Sequence, residues 1–113
     1  MRSIPALTAI ALCATIGAAA DAQDLQSTRG LAATCAACHG PDGVSVGGVP
    51  PALAGQDKAE LLQRLKEFKA GTRPATVMHQ LARGYSDEQL ERIAAYFSAV
   101  AAGPAPAAPR AGD

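Results

Sequence analysis

The segment Cys35-Ala36-Ala37-Cys38-His39 spaces two cysteines about one helical turn apart and sets a histidine directly behind the second. C-x-x-C-H is the signature of covalent c-type haem attachment. At this spacing both sulfurs can lie along the edge of a porphyrin, each forming a thioether to a vinyl group. The adjacent imidazole then reaches the iron as proximal ligand. Two other chemistries use similar residues. A redox disulfide of thioredoxin type needs a strand-to-helix setting, and no alternating, strand-like segment occurs in the chain. A zinc site completed by His39 and His79 would have to be tetrahedral, for which a histidine abutting a cysteine is poorly placed. The pentapeptide reads as a haem site, with Cys35 and Cys38 as attachment points and His39 as axial ligand.

Upstream, Arg2 is a minimal positive region, Ile4 to Ala20 is apolar, and Ala20-Asp21-Ala22 has the small-x-small form of a cleavage site. Residues 1–22 therefore read as a secretory signal peptide, cleaved after Ala22, for a periplasmic protein. The rival, a short membrane anchor, falls below the roughly 20 apolar residues that a span needs and contains Pro5. A lipoprotein would acylate Cys13, but Leu12 before it is bulky where a small residue belongs. Removal of the leader takes Cys13 with it and leaves only Cys35 and Cys38.

The remaining chain, 23–102, reads as one domain. A first helix runs from Leu25 to Cys35 with Gly30 interrupting it. The stretch Gly40–Gly55 holds so many Gly and Pro residues that regular structure is excluded, and loops of that length tend to wrap a ligand. Asp57 caps a second helix, with Glu60 in capping-box position, an inward stripe of Leu61, Leu62, Leu65 and Phe68, and Gly71 as left-handed terminator. A third helix opens at Ser86 with Gln89 completing a box and buries Leu90, Ile93, Ala94, Phe97 and Val100. Residues 103–113 form a Pro/Ala-rich tail with no apolar period and read as disordered.

Composition narrows the function. The 113 residues are 49% hydrophobic and 18% charged, with ten basic and ten acidic side chains. A balanced charge argues against a nucleic-acid partner, and no span remains in the mature chain. Aromatics are limited to Phe68, Tyr85, Tyr96 and Phe97, so an alanine-rich core buries little area and something besides side chains must fill it. A haem would supply that flat apolar body. Its sixth ligand has two candidates, Met78 and His79. Met78 is the only methionine left once the leader is gone, and it falls in a loop between helices; the alternative for it is core filler. His79 would give a lower potential than a thioether.

The chain resembles class I cytochromes c from about Leu25 to Val100. The resemblance rests on Leu31-Ala-Ala-Thr-Cys-Ala-Ala-Cys-His-Gly40, Pro51-Ala-Leu-Ala-Gly-Gln56 and Ser86-Asp-Glu-Gln-Leu-Glu-Arg-Ile-Ala-Ala-Tyr-Phe97. It implies an all-α fold of about three main helices and long loops wrapped around one covalently bound haem. Phe68-Lys-Ala-Gly71, Ala75-Thr-Val-Met78 and Leu81-Ala-Arg-Gly-Tyr-Ser86 are similar to the cytochrome subunit of flavocytochrome c sulfide dehydrogenase. That family implies Met78 as axial ligand beside His39. It also implies an FAD-containing flavoprotein partner that oxidises sulfide and hands electrons to the haem subunit. A single C-x-x-C-H sets the chain apart from dihaem members. The family pattern further implies that a carbonyl in Pro50-Pro51 accepts from His39 Nδ1–H, and that Gly30 lets the first helix cross closely against the last near Tyr96 and Phe97.

The expected function is single-electron transfer, with no substrate chemistry of its own. Lys66, Lys69, Arg73 and Arg83 could steer an acidic partner or neutralise propionates, or be ordinary solvated charges. Two competing functions are a diffusible shuttle to a terminal oxidase or reductase and a sensing cytochrome with a labile sixth position.

Overall fold

The computed structural model describes residues 8–103, with side-chain environments from Gln23 onward. It is all-α: α1 spans Thr8–His39, a 3₁₀ turn Pro41–Gly43, α2 Lys58–Ala70, α3 Met78–Arg83 and α4 Asp87–Ala99. The backbone of residues 8–22, most of the segment read as a leader, continues α1. Residues 1–7 and nearly all of the Pro/Ala tail lie outside the described residues.

Gly30 does not interrupt α1. A glycine inside a helix costs about 1 kcal/mol relative to alanine, and side-chain contacts on both sides of it hold the helix. On the N-terminal side, Arg92 of α4 donates from Nε to Thr28 Oγ1 at 3.1 Å and from Nη2 to Asp24 Oδ1 at 2.5 Å, and also reaches Ser27 Oγ. On the C-terminal side, Ala32 is buried against Ile93, Ala94 and Phe97. The expected close approach at Gly30 is not made: a Cβ there would meet nothing within 4 Å. Ala32 takes that place.

Asp57 caps α2 by accepting from the Glu60 N–H at 3.0 Å. The second half of the expected box is absent, because Glu60 instead accepts from Arg64 Nη2 at 3.0 Å one turn on. Gly71 ends the helix with φ 78°, as its position after Ala70 anticipates. Ser86 makes the complete reciprocal box with Gln89 at the start of α4. Leu90, Ile93, Ala94 and Phe97 are buried, while Val100 lies just past the helix as its C-cap and is only partly covered.

α3 is a helix where a loop was expected. Its cap, Val77, offers no side-chain hydrogen bond, so no capping residue announces it. α4 is the central element, touching both α1 and α2, while α3 lies on α2. Lys58 reaches Glu91 at 3.2 Å and Lys69 reaches Asp87 at 2.8 Å, fastening α2 to α4. These pairs are largely solvated and contribute orientation more than stability.

The long 40–55 connection is less irregular than its composition suggests. The Pro41–Gly43 turn sits against α4, where Tyr96 donates to Asp42 Oδ1 at 2.9 Å. Gly43 is buried with φ 75°, and its carbonyl accepts from Leu53 and Ala54 N–H at 2.8 and 3.1 Å. A Cβ on Gly43 would stand 2.6 Å from the Phe97 ring. Gly43→Ala should therefore combine overpacking with a disfavoured left-handed backbone and destabilise the domain by about 2–4 kcal/mol, read as a lower urea midpoint at unchanged slope.

Candidate functional site

The apolar faces of α2, α3 and α4 do not close on one another. They surround a cavity of ≈ 350 Å³, and Cys35, Cys38, His39 and Met78 all line it. The last turn of α1 supplies the first three, and the first residue of α3 supplies the fourth. Leu61, Leu65 and Phe68 of α2 form another wall, so part of the stripe expected to pack into a core faces this space. Phe68 and Leu65 remain half-exposed for that reason.

His39 is the one buried polar or charged residue among the described residues, at 8% exposure. Its Nδ1 lies 2.6 Å from the carbonyl oxygen of Pro51, in the Pro50-Pro51 stretch where an acceptor was expected. A carbonyl can only accept, so Nδ1 carries the proton. In the neutral imidazole Nε2 then keeps a free lone pair, on a residue that lines the cavity. Gly43 supports this arrangement at one remove, since its carbonyl holds Leu53 and Ala54 just beyond Pro51.

Of the two cysteines, Cys35 is half-buried and Cys38 exposed. Burial pushes the Cys35 thiol up. His79 is half-buried and does not line the cavity. The rival zinc set is not assembled either: no group of three or more His, Cys, Asp or Glu among the described residues could hold a metal ion.

Several lining residues carried no signal in the linear pattern. Arg64 lines the cavity although its pairing with Glu60 resembles an ordinary solvated helix pair. Gln56 lines it too, with its amide donating to the Ala52 carbonyl. Of the four cations considered for a steering role, only Arg73 borders the cavity. It lies 5.6 Å from the Phe68 ring centroid, and Lys69 is committed to Asp87. The lining thus contains two guanidinium groups and no carboxylate.

These donors suit a haem. Two sulfurs and an imidazole nitrogen lie on one short run of helix, a thioether lies on another element, and the walls between are apolar. The cytochrome c family model matches residues 28–101. The chain belongs to the cytochrome c family. It is a class I cytochrome c domain, and its cofactor is a single covalently bound c-type haem. It is 40% identical over 91 residues to cytochrome c4 of Azotobacter vinelandii, covering 73% of this chain and 43% of that one. It is also 40% identical over 88 residues to the cytochrome subunit of sulfide dehydrogenase of Chlorobaculum tepidum, covering 74% and 79%. Among solved structures, thiosulfate dehydrogenase from Marichromatium purpuratum superposes with a TM-score of 0.61 at 31% identity, over 70% of this chain and 17% of that one. The chain spans less than half the length of the cytochrome c4 relative. No helix among the described residues is long and apolar enough to cross a membrane.

The rim of this cytochrome c domain also carries a pH signature. Gln63 donates to Glu67 at 2.9 Å and Arg73 at 3.0 Å, and together they hold the Glu67 carboxyl below the usual glutamate range. A lowered folded-state pKa means stability that is full above the ordinary carboxylate range and is lost as pH falls through the depressed value. Glu67→Gln should flatten that part of the acid limb in a plot of thermal midpoint against pH, leaving the neutral-pH slope unchanged.

Proposed function

We propose that this chain is a periplasmic single-electron carrier in which Cys35 and Cys38 hold the haem by thioethers and His39 and Met78 are the axial ligands. The observation that carries this reading is the meeting of all four residues on one apolar cavity, with His39 Nδ1 already engaged by Pro51. When bound, the haem would supply one-electron chemistry between ferrous and ferric iron. The chain's residues do the rest. Pro51 fixes the imidazole ring and its tautomer, raising its basicity as a ligand. Leu61, Leu65 and Phe68 exclude water. Arg64 and Arg73, each also paired with a glutamate, border the cavity and would donate to the carboxylates of the cofactor. No nucleophile or general base is part of the reading, so the chain is not catalytic by itself.

Its donor, in this reading, is an FAD-containing flavoprotein subunit of a sulfide dehydrogenase. The similarity to the Chlorobaculum tepidum cytochrome subunit supports it, because there this chain covers 79% of the relative. Val77 and Leu81 flank Met78 and are 51% and 47% exposed, offering apolar contact to such a partner. Export by residues 1–22, cleaved after Ala22, would bring the chain to the periplasm, where sulfide is met.

Two experiments test this. Isolation from native periplasm at low salt should yield the haem protein with a larger flavin-containing chain at equal stoichiometry. A lone flavin-free haem protein would replace that partner by a diffusible shuttle to a terminal oxidase or reductase. The ferrous protein should ignore carbon monoxide, while Met78→Ala binds it; binding by the unmodified protein would turn the reading toward sensing.

A further inference from the structure

Thr34 and Tyr85 are 51 residues apart in the chain and meet at the cavity wall, with hydroxyl oxygens 2.6 Å apart. Proton counting gives the direction of this hydrogen bond. Thr34 Oγ1 lies 2.8 Å from the Leu31 carbonyl oxygen, which can only accept, so the single hydroxyl proton of Thr34 is committed there. Tyr85 therefore donates to Thr34.

The two ends of this bond belong to opposite sides of the cavity. Thr34 immediately precedes Cys35 on α1. Tyr85 closes the short segment that begins at Met78, its N–H donating to the carbonyl of buried Ala82 at 3.3 Å. A helix as short as α3 does not hold itself in water and depends on what it is fastened to. Among the described residues, Tyr85–Thr34 is the only side-chain hydrogen bond joining α1 to the segment from Met78 to Tyr85.

We propose that Tyr85 is a positioning residue for Met78. Through Thr34 its hydroxyl fastens the Met78 segment to the helix bearing Cys35, Cys38 and His39, and so sets how readily Met78 yields its place to an outside ligand. This rests on the axial role proposed for Met78. Displacing Met78 requires its segment to swing away, so the clasp favours the methionine-bound state. Losing one such hydrogen bond shifts that equilibrium by about fivefold.

The test uses the ferric holoprotein at neutral pH, titrated with imidazole. The signal is the weak long-wavelength band that marks a methionine sulfur on ferric haem. Tyr85→Phe and Thr34→Val should each bind imidazole about fivefold more tightly than the unmodified protein. The double variant should gain no more than either single change, and Thr34→Ser, which keeps the hydroxyl, should behave as unmodified. A general loss of stability would not give that non-additive pattern in a fully folded protein. Unchanged imidazole binding in Tyr85→Phe, or additive effects in the double variant, would overturn the clasp alone, provided the unmodified protein shows the band. An unmodified protein that lacks the band and binds imidazole as Met78→Ala does would overturn the axial role of Met78, and the clasp with it.

Discussion

A cavity occupies the place where a small helical domain would have its core, and most of the structure follows from that. Among the described residues, half of the buried hydrophobic ones are alanines: Ala32, Ala54, Ala82 and Ala94 accompany Leu61, Leu90, Ile93 and Phe97. They form a shell, with α4 as its spine and α1, α2 and the Pro41–Gly43 turn laid against it. Such a shell buries too little area to offset the entropy of ordering the chain without help. A covalently held haem completes the hydrophobic interior, so cofactor and fold are one thermodynamic unit.

The polar interactions serve the same end. His39 is the buried exception in an apolar interior, and its hydrogen bond to Pro51 joins the end of α1 to the connection that precedes α2. That connection is anchored by backbone bonds onto Gly43, and Gly43 sits under Phe97. The setting of the His39 ring therefore depends on a glycine four residues farther along the chain. The surface ion pairs between α2 and α4 hold the shell in register from outside.

What the linear pattern reveals and conceals divides along one line. Features written in neighbouring residues were legible: the C-x-x-C-H run, the caps at Asp57, Ser86 and Gly71, and the buried stripe of α4. Features decided by distant partners were not. Gly30 reads as a break because Arg92 and the side chains that bury Ala32 lie on another helix. Glu60 looked like half of a box because its choice of Arg64 is a competition between two local partners. α3 has no capping side chain and is held by packing and by Tyr85, so Met78 was placed in a loop. The Tyr85–Thr34 contact, spanning 51 positions, leaves no local trace at all. Arg64 leaves no trace in the pattern, because an i,i+4 pair does not say which side of its helix borders a cavity.

The element that brings Cys35, Cys38 and His39 to the cavity and the one that brings Met78 also differ in length. One closes a helix that still runs unbroken from Gln23 to His39 without the leader; the other opens a helix of six. The long one is clamped to α4 at Asp24–Thr28 and packed at Ala32, whereas the short one has few internal hydrogen bonds to resist displacement. The cavity thus has one wall clamped to α4 at two places and another resting on α2.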